Sequence, residues 1–326
     1  MPAASTLTDT TAATGATITV TGAGGFIGGR VVRAAGLLAS PPRLRLAVHR
    51  RPLAFVPAAE HVTVPADLSV PASLRGLCEG SDVLVHCASL IGGPEDAATA
   101  VNVDGTRALL REAARAGVSR IVYLSTASVY GRGVFRNSPA AGLTVAPESA
   151  TSSTRARAEQ AVLEAGGIVA RPYLVYGTGD RWVVPGLAAL LRALPGEVEG
   201  WPARLSLIDA DDLARGLLAL ALAPAADLTA SVYHANHPAP VHCAELVRAV
   251  AALGPDSPDA PPQRERLSLG TAQQALDGGL RRALDMVTTD HWFDSEPLWR
   301  DTRLDPGPGF AAAFPRHADW YRQLGR

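Results

Sequence analysis

The sequence of 326 residues contains no lysine, so its 30 strongly basic side chains are all arginine. Chemistry that needs a lysine amine is therefore excluded. Only three cysteines are present, and Cys78, Cys87 and Cys243 are widely separated with no C-x-x-C spacing. This scarcity argues against a disulfide framework and against a zinc site, and we predict no metal site.

Charge and hydrophobic patterning exclude two classes of partner. The 30 basic and 31 acidic residues form no long run of either sign, so we expect neither nucleic acid nor an anionic membrane as a partner. No apolar stretch reaches the roughly 20 residues that span a bilayer, and residues 1–16 lack the layout of a signal peptide. The expectation is a cytoplasmic protein that acts on a small molecule.

Regular structure is predicted to begin at Thr17, because residues 1–16 are small and polar and are expected to form a disordered leader. From there, short β-branched or apolar runs alternate with helical segments, and the runs cover 17–21, 44–48, 61–64, 82–86, 120–124 and 167–170. Strands that alternate with helices predict an α/β fold, a Rossmann-type doubly wound parallel sheet that is covered on both faces.

A smaller second lobe is expected towards the C-terminus, because the alternation fades after Arg171 and prolines and glycines become frequent. We assign residues 17–175 to a dinucleotide-binding lobe, to which residues 205–235 return. Residues 176–204 and 236–326 are assigned to a substrate-binding lobe.

The segment TGAGGFIG, residues 21–28, places a G-x-x-G-x-x-G motif between the first strand and the first helix. Gly22 permits the tight turn, Gly25 lets the backbone approach a pyrophosphate, and Gly28 lets the helix pack on the strand. Phe26 and Ile27 complete the loop, and the helix N-terminus faces the anion. We predict a dinucleotide-binding loop; the alternative is an ordinary glycine-rich turn.

The end of the second strand indicates which dinucleotide is preferred. An NAD site normally places a carboxylate there to bind the ribose 2′-hydroxyl, whereas this sequence reads VHRR at 48–51. Arg50 and Arg51 are suited to pair with a 2′-phosphate through charge-assisted hydrogen bonds. We therefore favour NADP(H) over NAD(H) as the cofactor; the alternative is a solvated arginine pair.

Several motifs, taken in order, resemble the extended short-chain dehydrogenase/reductases, the group of nucleotide-sugar epimerases, dehydratases and 4-ketoreductases. They are TGAGGFIG at 21–28, ADL at 66–68, DVLVHCAS at 82–89, NVDGT at 102–106, LSTASVYG at 124–131, ARPYLVYG at 170–177 and DDLA at 211–214. The resemblance implies a homodimer formed through helices 95–116 and 152–165. It also implies that five further residues line the cofactor: Asp67, Leu68, Ala88, Ser89 and Pro172.

Members of this family use a Y-x-x-x-K motif for redox chemistry, in which the tyrosine exchanges a proton as hydride moves and the lysine lowers its pKa. Aligned on RAEQ at 157–160, the tyrosine position is Thr151 and the lysine position is Arg155, which the resemblance places beside the cofactor ribose. The positioning hydroxyl is Thr126. An aliphatic hydroxyl cannot work as a general acid near neutral pH, so the usual proton donor is absent.

Two interpretations remain open. In the first, hydride is transferred from NADPH, and water or another side chain supplies the proton; the candidates by motif position are Tyr130, Tyr173, Tyr176 and His86, with Tyr173 the first to test. In the second, the cofactor pocket supports a cyclisation, elimination or isomerisation, or the protein is an NADP sensor or scaffold.

The favoured interpretation is an NADP(H)-dependent reductase that acts on a carbonyl of a nucleotide-activated deoxysugar or of another small metabolite. This substrate class is implied by the resemblance. The segment GTGDRW at 177–182 lies where the family's substrate loop begins, so Tyr176 and Arg181 are candidate substrate-binding residues. Arg181 is suited to a diphosphate or a carboxylate; the alternative is a surface arginine.

Overall fold

The structure is a computed structural model that describes residues 15–54, 57–254 and 265–324. Its strands are β1 (Thr17–Thr21), β2 (Arg43–Val48), β3 (Val62–Pro65), β4 (Val83–His86), β5 (Arg120–Leu124), β6 (Phe135–Ser138), β7 (Ile168–Arg171), β8 (Leu174–Tyr176), β9 (Glu197–Val198), β10 (Arg204–Leu205), β11 (Leu207–Asp209), β12 (Val232–His234), β13 (Val241–His242), β14 (Arg266–Leu267) and β15 (His291–Phe293).

Its α-helices are α1 (Gly28–Gly36), α2 (Glu95–Ala98), α3 (Thr106–Arg115), α4 (Ala150–Glu164), α5 (Val183–Ala193), α6 (Ala210–Leu222), α7 (Cys243–Ala251), α8 (Leu269–Ala275), α9 (Gly278–Thr288), α10 (Glu296–Thr302), α11 (Phe310–Ala313) and α12 (Ala318–Leu324). Short 3-10 turns cover Pro71–Leu74, Ala127–Tyr130, Ala225–Asp227 and Phe314–His317.

The first lobe is built on a seven-stranded parallel sheet in the order β12-β7-β5-β4-β1-β2-β3. Alternate side chains of the strands point to opposite faces. One face packs on α1 and α6, and the other packs on α3 and α4. The predicted doubly wound Rossmann-type sheet is confirmed, and the carboxyl ends of β1, β4 and β5 meet at its centre, where ligands bind in such sheets.

The predicted helix over residues 95–116 is interrupted by a wider, π-helical turn at Thr99–Gly105 between α2 and α3. Gly105 packs closely on the loop after β3, since a Cβ at Gly105 would lie 2.6 Å from the carbonyl oxygen of Leu68. π-Helical turns of this kind often occur near functional sites. Here the turn brings Asn102 towards the loop that follows β4.

The second lobe has its own core, formed mainly by β8, α5, α7, α9 and the segment from α11 to α12. A four-stranded sheet in the order β13-β10-β15-β6 joins it. Two elements lie on the other side of the predicted lobe boundaries. β6 pairs with β15 in the second-lobe sheet, and α10 packs on α6 through Leu298 and Trp299 in the core of the first lobe.

The predicted disordered leader, residues 1–16, lies outside the described residues up to residue 14. Ala16 belongs to the fold, because it is buried and its carbonyl oxygen accepts a hydrogen bond from Arg43 N–H at 3.0 Å. All three cysteines are free thiols. Within the described ranges, no helix combines the length and apolar character needed to cross a bilayer.

Candidate functional site

Glycine is required at three points of the phosphate loop, which we define as the turn 22–28 between β1 and α1. Gly22 has a φ of 70°, and a Cβ there would lie 3.0 Å from Ala88 N. A Cβ at Gly25 would lie 2.9 Å from the carbonyl oxygen of Gly22, and one at Gly28 would lie 2.2 Å from it. The backbone closes on itself and leaves no room for a Cβ at these three positions, as a pyrophosphate-binding turn requires.

The helix that follows this loop offers an open N-terminus. α1 has Ile27 at its N-cap, and within this fully described helix there is no side-chain cap and no acidic residue in the first turn. The free N–H groups of a helix N-terminus and the helix dipole together attract anions. The loop and the start of α1 therefore fit the pyrophosphate of a dinucleotide.

The predicted arginine pair lies at the edge of this loop. A Cβ at Gly24 would lie 2.5 Å from the carbonyl oxygen of Arg51, so the segment after β2 packs directly on the phosphate loop. Arg50 and Arg51 are both exposed. A cavity of about 450 Å³ opens between the loop, α1 and the residues Ala54, Ala58 and His61.

Asp67 follows β3 and lies close to the end of β2. Its Oδ2 lies 3.0 Å from His49 Nε2, and its Oδ1 accepts hydrogen bonds from the N–H and the hydroxyl of Ser69 at 2.9 and 2.7 Å. The Ser69 hydroxyl is the main cause of a lowered pKa of Asp67. The carboxylate stays ionised at neutral pH, at the edge of the sheet where the resemblance places the adenine.

Arg155, at the family's lysine position, is buried between the ends of β4 and β5. Its Nη1 donates to Ser89 Oγ at 2.7 Å, and its Nη2 donates to the carbonyl oxygen of Leu124. The guanidinium carbon lies 5.6 Å from the centroid of the Tyr123 ring. Arg155 Nε is buried and has no hydrogen-bond partner among the described residues. A fixed cation therefore lies where the two central strands end.

Two aliphatic hydroxyls lie at the positions that the resemblance assigns to chemistry. Thr126 caps the turn Ala127–Tyr130, where its Oγ1 accepts from Ser128 N–H at 3.1 Å. Thr151 lies in the first turn of α4, and its Oγ1 accepts from Gly92 N–H at 3.2 Å. Neither group can act as a general acid near neutral pH.

His86 and Tyr130, two of the alternative proton donors, are closed off by buried hydrogen bonds. His86 Nδ1 lies 2.6 Å from Thr21 Oγ1, and its Nε2 lies 2.9 Å from Thr106 Oγ1; burial lowers the pKa of His86 to about 3. Tyr130 Oη accepts from Arg171 Nη1 at 2.7 Å, and burial raises the pKa of Tyr130. Both residues have packing roles.

Tyr173 and Tyr176, the two remaining tyrosine candidates, are buried in the core of the second lobe. The Tyr173 ring stacks on His291 with centroids 4.7 Å apart, and burial strongly raises its pKa. Tyr176 is 2% exposed and contacts Phe310, and burial likewise raises its pKa. A buried phenol with a raised pKa is a poor proton donor, and a buried ring has no surface to offer a substrate.

Pro172 and Arg181 lie at two borders of the site. The carbonyl oxygen of Pro172 accepts from Ala127 N–H at 2.7 Å, which fixes the turn after β5 to the end of β7. Arg181 is exposed at the start of α5, directly after Asp180, whose carboxylate accepts from the first N–H groups of that helix. Arg181 stays a predicted substrate contact.

Sequence reasoning missed two residues that shape the site. Arg30, which is 9% exposed, donates to the carbonyl oxygens of Phe26 and Thr178. Asn102, which is 1% exposed, accepts from Leu90 N–H at 2.7 Å and donates to Leu90 O at 3.0 Å. Asn102 opens the NVDGT motif, but the contact that gives it a role depends on the π-helical turn.

A comparison with protein families places this geometry in context. The model of the NAD dependent epimerase/dehydratase family matches residues 18–235. The chain belongs to this family. The predicted membership of the extended short-chain dehydrogenase/reductases is confirmed.

Curated relatives of this family member extend over almost its whole length. The 2-alkyl-3-oxoalkanoate reductase of Stenotrophomonas maltophilia is 30% identical, covering 87% of this chain and 93% of its own. The ceramide reductase of Caulobacter vibrioides is 28% identical, covering 94% of this chain and 95% of its own. Relatives named as reductases support the predicted general activity, that of an oxidoreductase.

Solved structures support the fold. The Bordetella bronchiseptica enzyme WbmH in complex with NAD+ has a TM-score of 0.72 at 19% identity, covering 95% of this chain and all of its own. The dTDP-glucose 4,6-dehydratase of Bacillus anthracis in complex with NAD has a TM-score of 0.69 at 17% identity, covering 94% of this chain and 97% of its own. At these identities the likeness concerns the fold alone.

Proposed function

We propose that this chain is an NADP(H)-dependent carbonyl reductase that uses water, rather than a side chain, as its proton donor. The proposal is supported by the contrast between the glycine geometry of the phosphate loop and Thr151, which the resemblance places at the family's tyrosine position. When bound, the nicotinamide would supply a hydride to the substrate carbonyl carbon. Water would supply the proton, and the residues of this chain would bind the cofactor, orient the carbonyl and stabilise the developing charge.

Binding of the cofactor is assigned to three groups. The N–H groups of Phe26, Ile27 and Gly28 would hold the pyrophosphate. Arg50 and Arg51 would bind the 2′-phosphate, because no carboxylate follows β2 to accept from a 2′-hydroxyl. The proposed preference for NADP(H) is supported by this arginine pair alone. WbmH and the dTDP-glucose dehydratase carry NAD in their complexes.

At the catalytic end, Thr126 would position the carbonyl oxygen by turning to it the hydroxyl hydrogen that it donates to Ser128 Oγ at 3.1 Å. Arg155 would stabilise negative charge that develops there, because its guanidinium is a permanent cation at the ends of β4 and β5. Ser89 and the carbonyl oxygen of Leu124 hold it in place. The proton would then come from solvent, since His86, Tyr130, Tyr173 and Tyr176 are all buried in contacts of their own.

We propose that the substrate is a 3-oxo compound with an alkyl chain, in preference to a nucleotide-activated deoxysugar. The two relatives that cover most of the chain are named for an alkyl oxoalkanoate and for a ceramide. Both names describe aliphatic molecules, and both proteins are more similar in sequence than the sugar enzymes that share the fold. Arg181 would pair with the carboxylate of an oxo acid.

The experiment is a substrate screen in which NADPH oxidation is followed by its absorbance. We expect turnover with 2-alkyl-3-oxo acids or their esters, slower turnover with NADH, and an undiminished rate in Thr151→Val. If only nucleotide-linked ketosugars were turned over, the proposed preference for alkyl 3-oxo compounds would be wrong. Binding of NADPH without oxidation by any ketone would favour the non-redox alternatives, a lyase, an isomerase or a sensor.

The proposed homodimer and cytoplasmic location are carried forward as proposals. The exposed positions of α3 and α4 include Arg107, Arg111 and Arg157, so a dimer through these helices would need acidic groups or solvent between like charges. Sedimentation equilibrium at low and high salt tests whether a dimer forms through these arginine-bearing helices, because salt screens the repulsion between them. A dimer that strengthens with salt supports this interface.

A further inference from the structure

A buried histidine outside the candidate site links the C-terminal segment to the first lobe. His317, in the turn before α12, is 6% exposed. Its Nε2 lies 2.7 Å from Asp209 Oδ2, and Asp209 Oδ1 accepts from Asp211 N–H at 2.8 Å at the start of α6. A carboxylate only accepts, so Nε2 carries the hydrogen and Nδ1 is free to accept in turn.

The Nδ1 atom holds the loop that follows β8, residues 177–180. It lies 3.1 Å from both the N–H nitrogen and the hydroxyl oxygen of Thr178. Tyr321 holds the same loop, because its Oη accepts from Gly177 N–H at 2.7 Å and lies 3.1 Å from Asp180 Oδ2. The C-terminal segment thus contacts this loop at three residues, Gly177, Thr178 and Asp180.

The other side of loop 177–180 lies on the phosphate loop. A Cβ at Gly179 would lie 3.2 Å from the Phe26 ring. Arg30 joins the two loops, since it donates from Nη1 to the carbonyl oxygen of Phe26 at 2.8 Å and from Nη2 to that of Thr178. Arg30 Nε also pairs with Asp211 at 3.0 Å. Contacts therefore run without a break from His317 to the turn that would hold the pyrophosphate.

We propose that His317 is a positioning residue for the dinucleotide: its imidazole, through Nδ1, holds loop 177–180 against the phosphate loop, so that a residue of the second lobe sets the affinity of the first lobe for its cofactor. This inference rests on the proposed function only for the binding of a dinucleotide at residues 22–28. Without the acceptor, the Thr178 N–H is unsatisfied and the loop must be ordered at the moment of binding, which lowers the apparent affinity.

Two variants test the two hydrogen bonds of the imidazole one at a time. In His317→Gln the amide can still donate to Asp209, but no acceptor faces Thr178 N–H. In His317→Asn the carbonyl oxygen takes the place of Nδ1, while the contact with Asp209 is lost. We expect the dissociation constant for NADPH, measured by calorimetry, to rise about tenfold in His317→Gln and less than about threefold in His317→Asn.

Further measurements keep a positioning role distinct from a merely structural one. The kcat of His317→Gln at saturating NADPH should stay within about twofold of wild type, because the reacting groups are untouched. His237→Gln is the matched control, since His237 contacts Gly307 O instead, and it should leave the dissociation constant unchanged. If His317→Gln does not fold, Tyr321→Phe tests the same loop and should weaken NADPH binding several-fold.

Equal dissociation constants for wild type and His317→Gln would overturn the inference alone and leave the proposed function standing. An equal loss of thermal stability in the Gln and Asn variants, with equal dissociation constants, would assign His317 to folding only. A wild-type protein that binds neither NADPH nor NADH would overturn the proposed function, and this inference with it.

Discussion

The two ends of the candidate cofactor site are held by different kinds of contact. At the phosphate loop, backbone packs on backbone, and Gly25 and Gly28 leave less than 3 Å for a Cβ against the carbonyl oxygen of Gly22. At the candidate catalytic end, side chains fill the positions, and Thr151 and Arg155 are the residues that the resemblance places at the family's tyrosine and lysine. The shape of the phosphate loop is therefore set by backbone packing, whereas the candidate catalytic end consists of side chains that can be replaced without a change of backbone.

The sharpest way to test this contrast is to restore the family's side chains. In Thr151→Tyr combined with Arg155→Lys, a phenol and an ammonium return to the first turns of α4. General acid catalysis contributes about 10²- to 10⁴-fold, so we expect kcat for ketone reduction to rise at least about 100-fold. Thr151→Phe with Arg155→Lys is the matched control, because it adds the ring without the acid; an equal rise in both variants would contradict the account.

The next largest effect is expected at the phosphate loop. In Gly28→Ala the new methyl group would lie 2.2 Å from the carbonyl oxygen of Gly22, so the turn must open. An added methyl group in a tightly packed place costs about 1–3 kcal/mol. If this cost falls on the conformation that binds NADPH, the dissociation constant rises by up to about 100-fold. Gly36→Ala, at the far end of the same helix and with nothing within 4 Å of its Cβ, should bind NADPH normally.

The arginine pair should show a smaller and selective effect. Arg50→Ala combined with Arg51→Ala removes two cations from the edge of the loop, and we expect about tenfold weaker binding of NADPH with little change for NADH. The loss should shrink as salt is added. Arg322→Ala, on α12, is the control. Equal loss of both dinucleotides would mean that the pair supports the fold of the loop and does not read the 2′-phosphate.

The smallest effect concerns pH. His86 has a pKa lowered to about 3 by burial, so it is neutral above about pH 5 and does not change charge near neutral pH. With water as the acid, kcat/KM should therefore vary less than about threefold between pH 6 and 8, whereas the double variant Thr151→Tyr with Arg155→Lys should acquire an ionisation. A wild-type profile with an inflection near pH 7 would indicate a titrating side chain.

Local patterns were sufficient to predict six of the seven strands of the parallel sheet, because each of the six is a β-branched or apolar run. The edge strand β12 was not among the predicted runs, since its place depends on pairing with β7. The placement of Tyr173 and Tyr176 could not be predicted, since it depends on His291 and Phe310, more than a hundred positions later in the sequence. The lobe assignment of β6 likewise depends on its pairing with β15.

The catalytic residues were harder to predict than the cofactor residues for a physical reason. A glycine loop can be recognised in a sequence because only glycine fits at its close contacts. A proton donor needs a particular distance to the substrate and a particular exposure, and a short motif specifies neither. Arg30 and His317 illustrate the limit. Their partners Thr178 and Asp209 are each more than a hundred residues away, so only the folded chain brings them together.

Hydride transfer with water as the acid is best tested by following deuterium from NADPH, labelled at its transferring position, into a 2-alkyl-3-oxo ester. The account predicts deuterium at the former carbonyl carbon of the product, with equal single-turnover rates in wild type, Thr151→Val and Tyr173→Phe. A product without deuterium, or a rate that falls more than about tenfold in either variant, would contradict hydride transfer with water as the acid.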